Sequence, residues 1–298
     1  MKQKNDEGHK KGKILSDILV LVCVLLLLYP MAAEIISSIN STKLYEAYAE
    51  TVEGLSGSDY SAMLEAAYAY NASLVGRNNS RFSMTEEEEE VYLSLLSLPD
   101  TNVMAWLSIE KLGIEYMPVY HTTQQSVLQV GAGHFEGSSL PVGGESTHTV
   151  LSSHAGMAQN ALFTNLSSLE IGDTFTIYVL GEELWYQVDR IVKVLPDDVS
   201  YLEIEEGEDY CTLITCTPIG LNTHRLLVRG TRIDAPETDD GDGDGKFSLW
   251  DWLKKIFGLF PLYEWIMLLI ALVLIFAFLV PDLVRYIKRK RKTRRESA

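Results

Sequence analysis

Cysteine is scarce in this chain. Its 298 residues contain three, Cys23, Cys211 and Cys216, too few for a scaffold stapled by disulfides. Cys23 lies in an apolar run. Cys211 and Cys216 stand five apart in one predicted strand, so they point to opposite faces and cannot bridge each other. Basic residues are scarce between the termini: residues 14–281 hold 12 Lys and Arg against 37 Asp and Glu. A net of −25 there excludes a nucleic-acid partner. It suits cationic partners such as lysine amines or divalent metals, and equally a plain self-repelling surface. Neither an internal repeat nor a collagen-like or disordered composition is present, so the chain has material for one substantial core.

Charge is missing altogether from two stretches. Ile14–Ala33 is almost uncharged apart from Asp17, and Trp265–Val280 has no charge. With their flanks, each comes close to the roughly 20 residues that span a bilayer. The reading is an N-terminal anchor over 14–36 and a C-terminal transmembrane helix over 262–281. The basic tails 1–13 and 282–298 then lie in the cytoplasm, which puts the region between the anchors outside the cell membrane. A cleaved signal peptide competes for the first segment, but Pro30 or Met31 stands where a small residue is wanted.

Residues 37–99 predict a helical region. The Gly54–Gly57 interruption separates two helices, with Ser58 as an N-cap, and the interspersed tyrosines are packing residues. Residues 76–90 are polar and end in five glutamates. Thr85 with Glu88 forms a capping-box pattern for a helix running to about Leu98. From Asn102 the texture turns to strands, at least seven in about 130 residues with Gly, Pro and Asp between them. The fold class is therefore mainly β, a closed barrel or a sandwich over 100–233. Residues 234–246 are an acidic Gly/Asp linker, and 247–261 predict an amphipathic juxtamembrane helix.

The linker overlaps a twelve-position calcium-loop pattern. Asp240, Asp242 and Asp244 occupy positions 1, 3 and 5, Gly245 position 6, Lys246 the backbone-carbonyl position 7, and Asp251 position 12. Asp251 replaces the usual bidentate Glu, and no helix precedes the loop. The expectation is a structural calcium ion at the joint before the membrane helix, with no cofactor needed for catalysis. An acidic, glycine-rich tether would produce much of the same pattern by composition.

The stretch TLITCTPIGLNTHRLLVRG delivers Cys216 to a strand end, with Arg225 opening the next strand across the loop 217–224. Local reasoning leaves two readings, a small buried hydrophobe or a nucleophile beside a cation. Arg225 could lower the thiol pKa or hold a developing oxyanion. Proton transfer needs a third group, and the candidates are His121, His134, His148, His154 and His224. His154 has the best setting, where the strand THTVLSS enters the small-residue loop HAGM.

The blocks LGIEYMPVYHTT, VGAGHFEGSSLPVGGESTHTVLSSHAG, VLPDDVSYL and YCTLITCTPIGLNTHRLLVRGTRI resemble, in order, the sortase domain. They are closest to class C sortases, the pilin polymerases of Gram-positive bacteria. This resemblance implies an eight-stranded β-barrel with N-terminal helices and a transmembrane helix near each end. It implies a cysteine transpeptidase that cleaves an LPxTG-like sorting signal between Thr and Gly through a thioacyl intermediate. The acyl group passes to an amine, a pilin lysine in pilus assembly. Cys216 matches the nucleophile, His154 the general acid/base and Arg225 the residue that positions substrate and stabilises the oxyanion. The alternatives are a cell-wall-anchoring sortase, with a cell-wall peptide as acceptor, and a non-catalytic pilus or membrane scaffold on the same fold.

One departure stands out. Class C sortases carry an Asp-Pro-aromatic lid, and Asn71–Glu90 contains no proline. Arg81-Phe82 could supply an aromatic plug by other means, but the reading favoured is a lid degenerate or absent over the lid-position segment 76–90.

Overall fold

The computed structural model describes residues 2–77, 79–98, 101–156, 162–236 and 262–281. They fall into two units, one within Met1–Ile35 and Lys255–Ala298, the other within Ile36–Lys254. In the first unit lie the start of helix α1 (Lys2–Glu53) and helix α4 (Leu262–Leu274), which continues as a π-helical turn, Ile275–Leu279. Among the described residues no helix is long and apolar enough to cross a membrane. The calcium-loop residues Asp240, Asp242, Asp244, Lys246 and Asp251, the 247–261 segment and the tail 282–298 lie outside the described residues.

The second unit is a closed eight-stranded barrel with helices packed on it. Its strands are β1 (Val103–Ile109), β2 (Ile114–His121), β3 (Ala132–His134), β4 (Thr147–Ser152), β5 (Thr174–Val179), β6 (Glu182–Val194), β7 (Asp209–Thr217) and β8 (His224–Ile233). They close in the order β1-β2-β3-β4-β7-β8-β6-β5. The pairs β2–β3 and β4–β7 are parallel, and the others antiparallel. Closure leaves no open sheet edge. The β5–β6 hairpin lies between β4 and β7 in sequence, yet β4 and β7 are neighbours in the sheet.

Helices α2 (Gly57–Leu74) and α3 (Glu86–Ser94), with a 3-10 turn at Asn79–Phe82, precede the barrel. The Gly54–Gly57 break separates α1 from α2, but the N-cap is Ser56 and not Ser58. Ser56 Oγ accepts from Asp59 N at 3.2 Å, while the Ser58 hydroxyl lies 2.8 Å from that of Ser56. The Thr85–Glu88 capping box forms as expected. Its helix stops at Ser94 and not near Leu98, because the chain turns to bury Leu96 and Leu98 in the core. His121 Nε2 lies 2.8 Å from the Leu95 carbonyl freed by that turn.

The packing helices are fastened by specific contacts. Trp106 on β1 is fully buried and meets Tyr45 and Tyr48 of α1 edge-on, with centroids 5.6 and 5.9 Å away. Asn71 on α2 bonds both backbone groups of Leu140, donating to its oxygen at 3.1 Å and accepting from its nitrogen at 2.7 Å. The amide thereby replaces a strand neighbour for Leu140.

Candidate functional site

Strands β4, β7 and β8 lie side by side, and their outer face carries the candidate residues. Pairing of β7 with β8 sets Cys216 directly opposite Arg225, Ile214 opposite Leu227 and Thr212 opposite Arg229. Pairing of β4 with β7 sets Val150 beside Thr212 and Ser152 beside Ile214. Past the end of β4, Ser153 N still donates to Ile214 O at 3.1 Å, and Thr215 Oγ1 donates to Ser153 O at 2.8 Å. Continuing that register brings His154 level with Cys216. Side chains alternate along a strand, so His154, Cys216 and Arg225 form one row across the end of this face. Cys211, an odd number of positions away, is buried in the main core, where burial pushes its thiol well up.

Within the row, Cys216 is half-buried. Arg225 Nη1 donates to the carbonyls of Asn222 and His224, each at 3.2 Å, so the β7–β8 loop steadies its own guanidinium. His154 Nε2 is shielded from solvent and makes no hydrogen bond among the described residues. The loop after His154 touches the loop after Cys216. Gly156 has φ +80°, a conformation that favours glycine, and a Cβ there would lie 2.5 Å from Ile219 Cγ2.

Next to this row the same face is apolar. Val150, Val194, Leu202, Ile214 and Leu227 form a cluster on this face, with Phe82 and Phe135 packed against it. Phe82 meets Phe135 edge-on at 5.3 Å. Its neighbour Arg81 is buried and donates to Leu202 O. Gly137 lets the turn approach, since a Cβ there would meet Arg81 O at 2.1 Å. The 3-10 turn Asn79–Phe82, in the segment where the lid motif is read as degenerate or absent, thus packs Phe82 on the apolar floor beside the Cys216 row, in the manner of the aromatic plug that Arg81-Phe82 could supply.

The sortase family model matches residues 107–233, "Sortase domain". Sortase C1 from Streptococcus agalactiae is 42% identical, with a TM-score of 0.61, over 65% of this chain and 99% of that one. Sortase C from Streptococcus pneumoniae is 38% identical, with a TM-score of 0.57, over 65% of this chain and 97% of that one. The chain belongs to the sortase family. Its enzyme class is that of a cysteine transpeptidase, and its likeness to these two solved class C sortases covers nearly the whole of their chains. Among curated relatives, sortase A of Bacillus anthracis is 28% identical over 134 residues, 45% of this chain. The chain spans 61% of that relative's length.

Below the row, the sortase barrel holds a polar layer of which sequence reasoning named only His148, as one of five candidate histidines. His148 Nδ1–H donates to Glu203 O at 2.8 Å, and its Nε2 accepts from Thr212 Oγ1 at 2.7 Å. Arg229 lies 3.8 Å over the Tyr210 ring and grips Asp189 through Nε at 3.0 Å and Nη2 at 2.5 Å. Burial holds the His148 imidazole down at about 4, helped by the Arg229 and Arg81 charges. The signal for this layer is visible in RLLVR, where Arg225 and Arg229 share strand parity. His134 is fully buried away from the row and bonded through both nitrogens, to Tyr92 Oη at 2.9 Å and Ser139 O at 2.8 Å. His224 is exposed at the start of β8.

Proposed function

We propose that this protein is a membrane-attached sortase that joins an LPxTG-like sorting signal to an amine, with a pilin lysine as the acceptor. The observation that carries the reading is the single row of His154, Cys216 and Arg225 on the outer face of β4, β7 and β8. Cys216 Sγ attacks the carbonyl carbon of the signal threonine, forming a C–S bond and an oxyanion. Arg225, across the register from Cys216, donates to that oxygen. The intermediate collapses by breaking the Thr–Gly C–N bond, and His154 gives the departing glycine nitrogen its proton. The acceptor amine then attacks the thioester and returns a proton to His154, and Cys216 leaves. The Nε2 of His154, shielded and without a partner among the described residues, suits a group whose hydrogen-bond partner arrives with substrate.

The pilin acceptor draws support from the class C relatives, the pneumococcal one being described in terms of pilin substrate specificity, and from the acidic middle of the chain. Membrane attachment draws on the two apolar stretches and their basic flanks. It also draws on side chains that stay more than half exposed within their own unit, Leu15, Leu19, Leu25, Leu26, Leu269 and Phe276 among them. We place the barrel outside the cell and both termini in the cytoplasm.

The test is to incubate the full chain with a sorting-signal peptide, with and without added lysine peptide. The expected result is a mass increase on Cys216 equal to the acyl fragment, and an isopeptide product only when the lysine peptide is present. Free acid as the main product in both reactions would make the protein a hydrolase, and no acyl adduct would leave a scaffold on a sortase fold.

Docking of Phe82 gives a second expected result. Replacing the partly buried Phe82 with Ala removes its ring from the floor cluster, and about 1 kcal/mol of contact goes with it. Alkylation of Cys216 by a small thiol reagent is then expected to speed up by about 5-fold or more, because the 3-10 turn releases more often. An unchanged alkylation rate would show that this turn does not govern access to the thiol.

A further inference from the structure

Outside the catalytic row, one cavity combines three features that select for the same ligand. It has a volume of about 240 Å³ and lies between the last turns of α1 and the β5–β6 hairpin. Its walls are Tyr45, Tyr48 and Tyr178, its rim carries Glu53 and Glu183, and no Lys or Arg lines it. The closed strand order puts β5 across the barrel from β4. The hairpin also sits at the far end of β6 from Val194, the residue paired with Arg225. This cavity therefore takes no part in the chemistry at Cys216.

We infer that this cavity binds an alkylammonium group, with the tyrosine rings as walls and Glu53 and Glu183 as counter-charges. Aromatic faces attract a cation through their quadrupole, and the attraction grows when the cation is desolvated. The walls are preorganised, which lowers the entropic cost of binding. Tyr45 stacks on Tyr116 at 3.9 Å, and Tyr178 lies 5.9 Å from Tyr45. Tyr48 Oη accepts from Leu180 N at 2.9 Å. Burial, with the Glu183 charge behind it, raises the hydroxyls of Tyr45 and Tyr178, and burial raises that of Tyr48, so all three rings stay neutral at physiological pH. The third feature is the end of α1 itself. Its last turn carries no basic residue, and the C-terminal carbonyls of a helix present partial negative charge. Neutral ligands gain from only one of these three features, whereas an ammonium ion gains from all of them.

The inference stands independently of the reaction proposed for Cys216. It is tested by titrating the full chain, in a sugar-headgroup detergent, with choline, with N-acetyl-lysine amide and with the neutral isostere 3,3-dimethylbutan-1-ol, followed by saturation-transfer NMR. At least one ammonium ligand is expected to saturate with Kd of about 1–10 mM, and the isostere to bind roughly 10-fold more weakly or worse. Which ammonium binds tighter tells a quaternary amine from a protein lysine as the natural source. Glu183→Gln and Tyr178→Leu are each expected to weaken binding by about 3- to 30-fold. Cys216→Ala should leave binding unchanged, and Glu183→Gln should leave acyl capture at Cys216 unchanged, which also reports that the variant is folded. Should Glu183→Gln fail to fold, Glu53→Gln at the exposed rim makes the same test. Equal binding of the isostere, or no saturable binding at about 100 mM ammonium, overturns the inference.

Discussion

Cys216→Ala is expected to abolish acyl capture of a sorting-signal peptide, and His154→Ala to lower transpeptidation by about 10²- to 10⁴-fold. The two losses differ in kind. Without Cys216 no bond to the acyl carbon can form. Without His154 the thiol can still attack when ionised, but nothing protonates the departing glycine amine. His154→Ala should therefore regain part of its rate as pH rises, while Cys216→Ala should not. Arg225→Ala is expected to cost about 10²- to 10³-fold, the range seen when an oxyanion donor is removed. Arg225→Lys should recover little of it. A lysine keeps the charge but lacks the planar fork, and the contacts to the Asn222 and His224 carbonyls show that the guanidinium is already divided between holding its loop and facing Cys216. The measurement is single-turnover acylation by mass spectrometry beside steady-state transfer to a lysine peptide. Wild-type rates in the His154 and Arg225 variants would remove both residues from the proposed reaction.

Why this row could be partly read beforehand, and partly not, follows from how sheets are connected. Cys216 and Arg225 flank a single hairpin loop, so their opposition follows from local pattern. His154 reaches the same row through parallel pairing of β4 with β7, across the intervening β5–β6 hairpin, and no local periodicity reports such a neighbour. Local reading offers five histidines and favours His154 only by its place at a strand end; the resemblance to sortases adds the match to the general acid/base. Seven of the eight strands were visible as apolar runs. The eighth, β3, has three residues including Gly133, too short to register as a strand. Its place comes from parallel pairing with β2 and antiparallel pairing with β4. The docked turn at Asn79–Phe82 was harder still. Its sequence lacks the proline that marks a class C lid, and what holds it is tertiary, namely Arg81 on the Leu202 carbonyl, Phe82 on Phe135 and the space left by Gly137. Ser56 displaced Ser58 as N-cap for a similar reason, since both hydroxyls suit the role and the end of α1 at Glu53 decides between them.

Acid should unfold this domain in a window set by two buried histidines. His134 and His148 are both held down at about 4, chiefly by burial, against 6.5 for a free imidazole. Each is neutral in the fold, with one nitrogen donating and the other accepting. His134 donates to Ser139 O and accepts from Tyr92, and His148 donates to Glu203 O and accepts from Thr212. Protonation turns each acceptor nitrogen into a donor facing a hydroxyl, and His148⁺ would also face Arg229 and Arg81. The unfolded chain binds these protons near pH 6.5 and the folded chain only near pH 4. Stability is therefore flat above about pH 6.5 and falls as pH drops from 6.5 to 4, by roughly 3 kcal/mol for each histidine. Two such losses are comparable to half the stability of an ordinary domain, so the urea midpoint should fall steeply within that window, before most carboxylates titrate. His148→Gln keeps an amide that can donate to Glu203 O but has no proton to gain. It should lower stability at pH 7 and roughly halve the fall between pH 6.5 and 4. A midpoint that stays level from pH 6.5 to 4.5 in the wild-type chain would mean that the barrel opens enough around these rings to solvate their charge.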